Sequence, residues 1–196
     1  MASTEIGIPR LNSSQATGLC LKPWRRWRRA RLRRVGAYLT DIRERLRAEQ
    51  QAGLELLFGK THADRARAIA LIDANLTHID KPLESFPDDV YLHALKGYAA
   101  KNVYASSGGT DLLRPAQREK CLARARMHFE TALRLDPDDP GAVNGKGNVL
   151  FYEGKLDEAI IHHERAIKLA GGSYPAAEHD LNLVMRVKSG AVPFPE

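Results

Sequence analysis

The chain has little cysteine and no long apolar run, and both absences limit the classes of protein it can belong to. Cys20 and Cys121 are isolated among 196 residues, which excludes a disulfide framework and a CxxC site and fits a reducing compartment. No apolar run approaches the roughly 18 residues that a membrane helix needs. With 43% apolar and 28% charged residues, the sequence predicts a cytoplasmic protein with a core of ordinary size.

Sequence motifs of enzymes and cofactor sites are also missing. The chain has no HExxH, P-loop, GxGxxG or GxSxG pattern. Its seven histidines are scattered except for His162 and His163, which are adjacent and therefore point in different directions on a helix. The paired acids at 88–89 and 138–139 precede predicted helices, where they suit capping better than acid–base catalysis. We therefore expect a protein that is not an enzyme, with no catalytic residue, no metal site and no cofactor.

Positive charge is concentrated in one segment. Positions 22–34 carry eight basic residues and no acid, whereas the rest of the chain has 22 basic and 24 acidic residues, a net charge of −2. Apolar residues between Trp24 and Leu46 recur at intervals of three to five, which predicts an amphipathic, Arg-rich helix over 22–48. The basic patch on this helix consists of Lys22, Arg25, Arg26, Arg28, Arg29, Arg31, Arg33 and Arg34.

Four roles remain open for the Arg-rich helix. Its apolar stripe favours a first helix that packs on the following hairpin, with solvated arginines. Trp and Leu opposite Arg suit an anionic membrane surface, and clustered Arg suits the phosphates of nucleic acid. A transit peptide for an organelle is the fourth role, because residues 1–40 contain several Ser and Thr but one acid, Glu5. Residues 1–21 have little periodicity, and we expect them to be disordered.

The second half of the sequence repeats itself. Ala125, Phe129, Ala132, Leu133 and Leu135 return 34 residues later with small or aliphatic character kept in four of the five pairs. Such a period predicts stacked helical hairpins, each burying its apolar face against its neighbours.

A second period of 50 residues extends the pattern towards the N-terminus. The Pro-Asp-Asp sequence at 87–89 returns at 137–139, and Gly97 returns as Gly147. Fifty residues are one repeat plus sixteen, and we place the extra residues in an insertion at 104–118. Gly108, Gly109 and Pro115 favour a long loop there, with a short helical turn at 111–113.

The repeats resemble the tetratricopeptide repeat, which pairs a small residue with an aromatic one in its second helix and closes with proline. The segment ARMHFETALRLDP matches this pattern, whereas the next repeat has His163 at the aromatic position and Gly171 at the closing proline. The resemblance covers residues 88–188 well and 50–87 weakly. It implies an all-α array of antiparallel helical hairpins, an α-solenoid, with the Arg-rich helix before it and a capping helix after it.

The expected array fills residues 49–196 and contains roughly seven helices with the Arg-rich helix. It comprises a degenerate hairpin at 49–87, a repeat with the long insertion at 88–137, a repeat at 138–171 and a capping helix at 174–189. Thr61 with Asp64 predicts a helix start, Pro82 is expected to end or kink a helix, and Pro175 is expected at the first position of the capping helix.

In the family that the repeats resemble, the first helix of each hairpin lines a concave groove. When the two repeats are aligned on Gly97 and Gly147, the resemblance implies a partner-binding groove. This groove is formed by Tyr91, Tyr98, Lys101, Asn102, Asn144, Asn148, Phe151 and Tyr152. Amides and aromatic rings suit an extended peptide, although the family's carboxylate clamp is not expected because Asn144 stands at its lysine position.

The function implied is a non-catalytic adaptor or co-chaperone for protein–protein interaction, with a peptide or helix of a protein partner in the groove. The alternative is an adaptor that binds nucleic acid or an anionic membrane through the Arg-rich helix.

Overall fold

All regular secondary structure in the described part of the chain is helical, which confirms the all-α prediction. The computed structural model describes the backbone of residues 21–57, 61–108 and 110–195, and the side chains of these ranges from residue 35 onward except Leu57. The disorder predicted for residues 1–21 therefore lies outside the described residues, apart from Leu21. The helices are α1 (Leu21–Leu57), α2 (His62–Ser85), α3 (Val90–Ser106), α4 (Pro115–Leu135), α5 (Pro140–Tyr152), α6 (Leu156–Leu169) and α7 (Pro175–Lys188).

The chain divides into two compact units, residues 1–41 and residues 42–196. In the first unit, the described backbone belongs to helix α1, so the helix predicted over 22–48 is present, and it continues to Leu57. The second unit holds the remaining helices and all of the packing described below.

The helix starts follow the capping residues that the sequence indicates. Thr61 accepts a hydrogen bond from the backbone N–H of Asp64, whose carboxylate in turn accepts from the Thr61 backbone N–H. Asp89 caps α3 and Asp139 caps α5 by the same type of contact. Pro175 is the first residue of α7, as predicted. The side-chain oxygens of Thr61, Asp89 and Asp139 satisfy backbone N–H groups that have no partner within the helix.

Consecutive helices of the second unit run antiparallel, as the order of their contacts shows. Leu150 of α5 clusters with Ala159 of α6, and Val143 of α5 clusters with Ala166 of α6. The later residue of α5 thus packs against the earlier residue of α6, as in two antiparallel helices. The same reversal relates α3 and α4, because Tyr104 lies against Arg118 whereas Tyr98 lies against Phe129. Their apolar residues form clusters that each helix shares with its neighbours.

Helices α3, α5 and α7 lie side by side in chain order. Tyr98 near the middle of α3 donates to the Gly141 carbonyl at the start of α5, and Tyr104 at the end of α3 contacts Tyr152 at the end of α5. Asn148 of α5 contacts Asp180 of α7. The first two contacts make α3 and α5 parallel, so alternate helices form one layer of the fold.

Glycines set the spacing between several helices. A Cβ atom built on Gly147 would lie 2.7 Å from His163 Cε1, and one built on Gly97 would lie 2.8 Å from Phe129 Cε1. Gly145, which the repeat pattern did not single out, is tighter still, with 2.0 Å to Phe129 Cε1. A methyl group does not fit at any of these positions without displacing an aromatic or imidazole ring.

The loop predicted at 104–118 is present but shorter than expected. Helix α3 extends to Ser106 and α4 begins at Pro115, so the connection between them is residues 107–114, and no helical turn forms at 111–113. Helix α3 is four residues longer than α5, and α4 is seven residues longer than α6. The connection between α3 and α4 is five residues longer than the one between α5 and α6, and the three differences account for all sixteen extra residues. Pro115 occupies the first turn of α4, where a missing N–H costs nothing.

Helix α2 does not end at Pro82 but continues to Ser85. The ring of Pro82 is buried, and this burial offsets part of the cost of the lost backbone hydrogen bond. Among the described residues, no helix combines the length and apolar character needed to cross a membrane.

Candidate functional site

The residues predicted for the groove all lie on α3 and α5, and the structure divides them into two sets. Tyr91, Tyr98, Lys101 and Tyr152 are half-buried, so part of each side chain faces solvent. Asn102, Asn144, Asn148 and Phe151 are buried. The accessible part of this face therefore consists of three tyrosines and one lysine, and the buried amides act within the chain.

The two asparagines of α5 belong to a polar network with α7. Asn144 and Asn148 each donate from Nδ2 to the same oxygen, Oδ2 of Asp180, at 2.9 Å. Asn144 Nδ2 also lies 3.1 Å from the Tyr98 hydroxyl, which donates to the Gly141 carbonyl at 2.8 Å. This network ties α3, α5 and α7 together and fixes the Tyr98 ring, since buried polar groups hold their geometry when they are paired.

His163 closes the network from the side of α6. Its Nδ1 lies 2.7 Å from Asn144 Oδ1, and because an amide oxygen only accepts, Nδ1 carries the proton and Nε2 does not. The imidazole is 0% exposed, and Nε2 has no hydrogen-bond partner among the described residues. Burial lowers the pKa of His163 to about 4, opposed by the nearby Asp180 carboxylate and assisted by His162 and Lys101. A neutral imidazole that is fully buried contributes to packing and does not face the solvent-exposed surface.

Lys101 is the cation of this face. Its Nζ lies 5.9 Å from the centre of the Tyr98 ring, within range of a cation–π contact. Burial lowers the pKa of Lys101, and the Asp180 carboxylate partly offsets that effect. Among the described residues, no hydrogen bond or salt bridge engages the ammonium group. A half-buried cation without an acceptor can receive a carbonyl or carboxylate oxygen from a ligand.

Aromatic rings continue the face towards the ends of α3 and α5. Tyr152 packs edge-on against Tyr104 with 5.0 Å between ring centres, and it lies 5.2 Å from Phe151. Burial raises the pKa of Tyr152 to about 12, assisted by the Asp180 carboxylate, so its hydroxyl is protonated at neutral pH. The face thus offers protonated hydroxyls and ring surfaces.

Other predicted features fall elsewhere. The side chains of the basic patch, residues 22–34, lie outside the described side chains. Within the described ranges, no group of three or more His, Cys, Asp or Glu residues is placed to hold a metal ion.

Asp180 is the residue of this polar network that the sequence did not predict. Asp180 lies on the predicted capping helix, where an acidic residue is expected to face solvent. Only the packing of α7 on α5 brings its carboxylate to both asparagines. The eight predicted groove positions contain no acid, and this absence is the one signal in the sequence that the amides need a partner from elsewhere.

A scan of the sequence against protein-family models matches none of them, and a search of curated proteins finds no significant match.

Proposed function

We propose that this chain is a non-catalytic adaptor for protein–protein interaction, built as a tetratricopeptide-like α-solenoid. Its ligand is an extended peptide that lies on the face formed by α3, α5 and α7. The observation that carries this proposal is the Lys101 ammonium, which lies half-buried over the Tyr98 ring and meets no acceptor among the described residues. A peptide carbonyl or carboxylate supplies the acceptor that the fold itself does not.

The rigidity of the face supports the proposal. Tyr98 is held by two hydrogen bonds, one to Gly141 and one with Asn144, and its ring packs against Phe129 at 5.0 Å. A ring that is already fixed loses little side-chain entropy on binding, which favours affinity. Parallel packing of α3 beside α5 and the antiparallel order of neighbouring helices are the arrangement expected of a repeat array.

The proposal is tested with peptides selected from a random display library on the purified chain. We expect Lys101→Ala to weaken the affinity of the selected peptides at least about tenfold, or 1.4 kcal/mol, because it removes the charge-assisted hydrogen bond. Lys146→Ala is the matched control. Lys146 is a lysine of α5, but its ammonium group lies 3.6 Å from a carboxylate oxygen of Glu130 on α4 and therefore has an acceptor within the chain. Equal affinity for wild type and Lys101→Ala would refute this role for the face.

The Arg-rich helix supports a second candidate function, binding to nucleic acid or to an anionic membrane. Eight basic residues without an acid at 22–34 lie on the continuous helix α1. Clustered positive charge on one helix favours polyanionic partners of either kind.

A further inference from the structure

After α7, the chain changes direction at Gly190. Gly190 has a φ of 74°, a left-handed conformation that glycine adopts without steric cost. Ala191 N then donates to the Arg186 carbonyl at 2.9 Å, and Val192 N lies 3.3 Å from the same oxygen. We call residues 191–195 the strap.

The strap places one aromatic ring on the layer formed by α3, α5 and α7. The ring centre of Phe194 lies 5.3 Å from that of Phe151, the residue of α5 that was predicted for the groove. Phe151 contacts Tyr152, and Tyr152 contacts Tyr104, so Phe194 extends a series of rings that begins on α3. Phe151 is 2% exposed whereas Phe194 is 41% exposed. The inner ring is thus part of the core, and the outer ring lies on the surface against it.

Phe194 is attached loosely compared with the helices. It stands between Pro193 and Pro195, which have no backbone N–H to donate. Among the described residues, the last backbone hydrogen bond of the strap is that of Val192, and beyond it the ring of Phe194 packs against Phe151. Segments with few buried contacts and few hydrogen bonds open at lower free energy than the core.

We propose that the surface of Phe151 beneath Phe194 is an exchangeable binding site for an aromatic side chain in an extended, proline-flanked peptide, and that the chain's own strap occupies it in the unbound protein. This inference rests on the proposed function and specifies the class of peptide. Prolines on both sides hold the ligand extended before it binds, which lowers the entropy lost on docking. The strap is therefore an intramolecular copy of the ligand.

A tethered ligand competes with a free one because its effective concentration reaches the millimolar range. If the strap is docked in about nine molecules of ten, a competing peptide binds about tenfold more weakly than to an open site. A substitution of Phe194 that releases the strap should therefore increase the affinity for the competing peptide by the same factor.

The test uses the full-length protein and a fluorescein-labelled peptide, SGAVPFPE, which reproduces residues 189–196. Fluorescence anisotropy is measured for wild type, Phe194→Ala and the control Met185→Ala, which removes another exposed apolar side chain of the same region, 54% exposed on α7. We expect Phe194→Ala to bind the peptide about tenfold more tightly than wild type and Met185→Ala to bind like wild type. The peptide SGAVPAPE should bind none of them measurably.

Equal affinity of wild type and Phe194→Ala for SGAVPFPE, or equal affinity of SGAVPAPE and SGAVPFPE for Phe194→Ala, overturns the inference. Circular dichroism of Phe194→Ala checks that the helices are retained, and Phe194→Leu, which keeps a smaller apolar side chain, should give an intermediate gain. Failure here leaves the proposed function standing if library-selected peptides still depend on Lys101. If instead the strap peptide binds Phe194→Ala while no selected peptide depends on Lys101, the exchangeable site is retained and the role of Lys101 is lost.

Discussion

His163 is a buried histidine at the position where the repeat pattern has a packing aromatic residue. Its imidazole fits beside Gly147 and keeps one hydrogen bond, to Asn144. A histidine in place of an aromatic residue puts a titratable group in the core. Burial holds the pKa of His163 near 4 in the folded protein, whereas an unfolded histidine titrates at about 6.5.

Stability should therefore fall as the pH decreases through the interval between these two pKa values. Below about pH 6.5 the unfolded chain takes up a proton that folded His163 does not, so the free energy of unfolding decreases until the pH reaches the folded pKa near 4. We expect wild type to lose about 2 kcal/mol more than His163→Gln between pH 7 and pH 5. Urea unfolding at both pH values measures the difference.

His179→Gln is the control for this experiment, because the His179 side chain is exposed on α7 and lies outside the core. It should keep the pH dependence of wild type. His128 contributes in the same direction in all three proteins, since burial and the charges of Lys96, His93 and Arg124 lower its pKa to about 4. An unchanged pH dependence in His163→Gln would mean that His163 is solvated in the folded protein.

Residue patterns predicted the buried side chains better than they predicted the polar network. His163 stands where the repeat pattern has a packing aromatic residue, and it is buried as such a residue would be. Nothing local to Asp180 indicated that its carboxylate accepts from Asn144 and Asn148, because those contacts span 36 and 32 positions in the chain. Hydrogen bonds between distant residues depend on how helices pack, which periodicity does not specify.

Helix contacts are set by small residues, and Gly145 is the most restrictive of them. A Cβ atom there would meet the Phe129 ring at 2.0 Å, so either the ring or the α4–α5 contact must move. We expect Gly145→Ala to lower the free energy of unfolding by about 1–3 kcal/mol, measured by urea denaturation, despite the better helix propensity of alanine.

Gly36→Ala is the matched control, since Gly36 also lies within a helix but has open space around the position of a Cβ atom. That variant should be as stable as wild type or slightly more stable. If Gly145→Ala behaves in the same way, the close contact between α5 and Phe129 does not exist in solution.

Helix ends were predictable where a side chain caps them, and less so where it does not. Thr61, Asp89 and Asp139 all cap as expected. The extension of α3 and α4 was missed because Gly108 and Pro115 were interpreted as features of one long loop. Pro115 instead starts α4, since proline is well tolerated in the first turn of a helix and disfavoured in later turns.

The whole molecule combines a basic segment with a helical unit, and the two should separate by deletion. Removing residues 1–34 takes away all eight residues of the basic patch and leaves residues 42–196, the second compact unit, complete. We expect the truncated chain to keep a cooperative thermal transition by circular dichroism. Any affinity of the full chain for single-stranded DNA or anionic vesicles should fall steeply as the salt concentration rises. The truncated chain should not bind either of them.

Binding that persists at roughly 0.5 M salt would argue against a charge-driven contact. Loss of the thermal transition on deletion would show instead that Trp24, Trp27 and Leu32 are needed for folding, and the Arg-rich helix would then be a structural part of the array.

Hydrogen–deuterium exchange of the full chain, with and without a library-selected peptide, shows whether α3, α5 and α7 form the surface that binds a peptide. We expect added protection only at residues near Lys101, Tyr152 and Asp180, and none on the outer face of α6 around Ile161, which is exposed. Protection confined to α4 and α6, or to residues 22–34, would show that the peptide binds elsewhere.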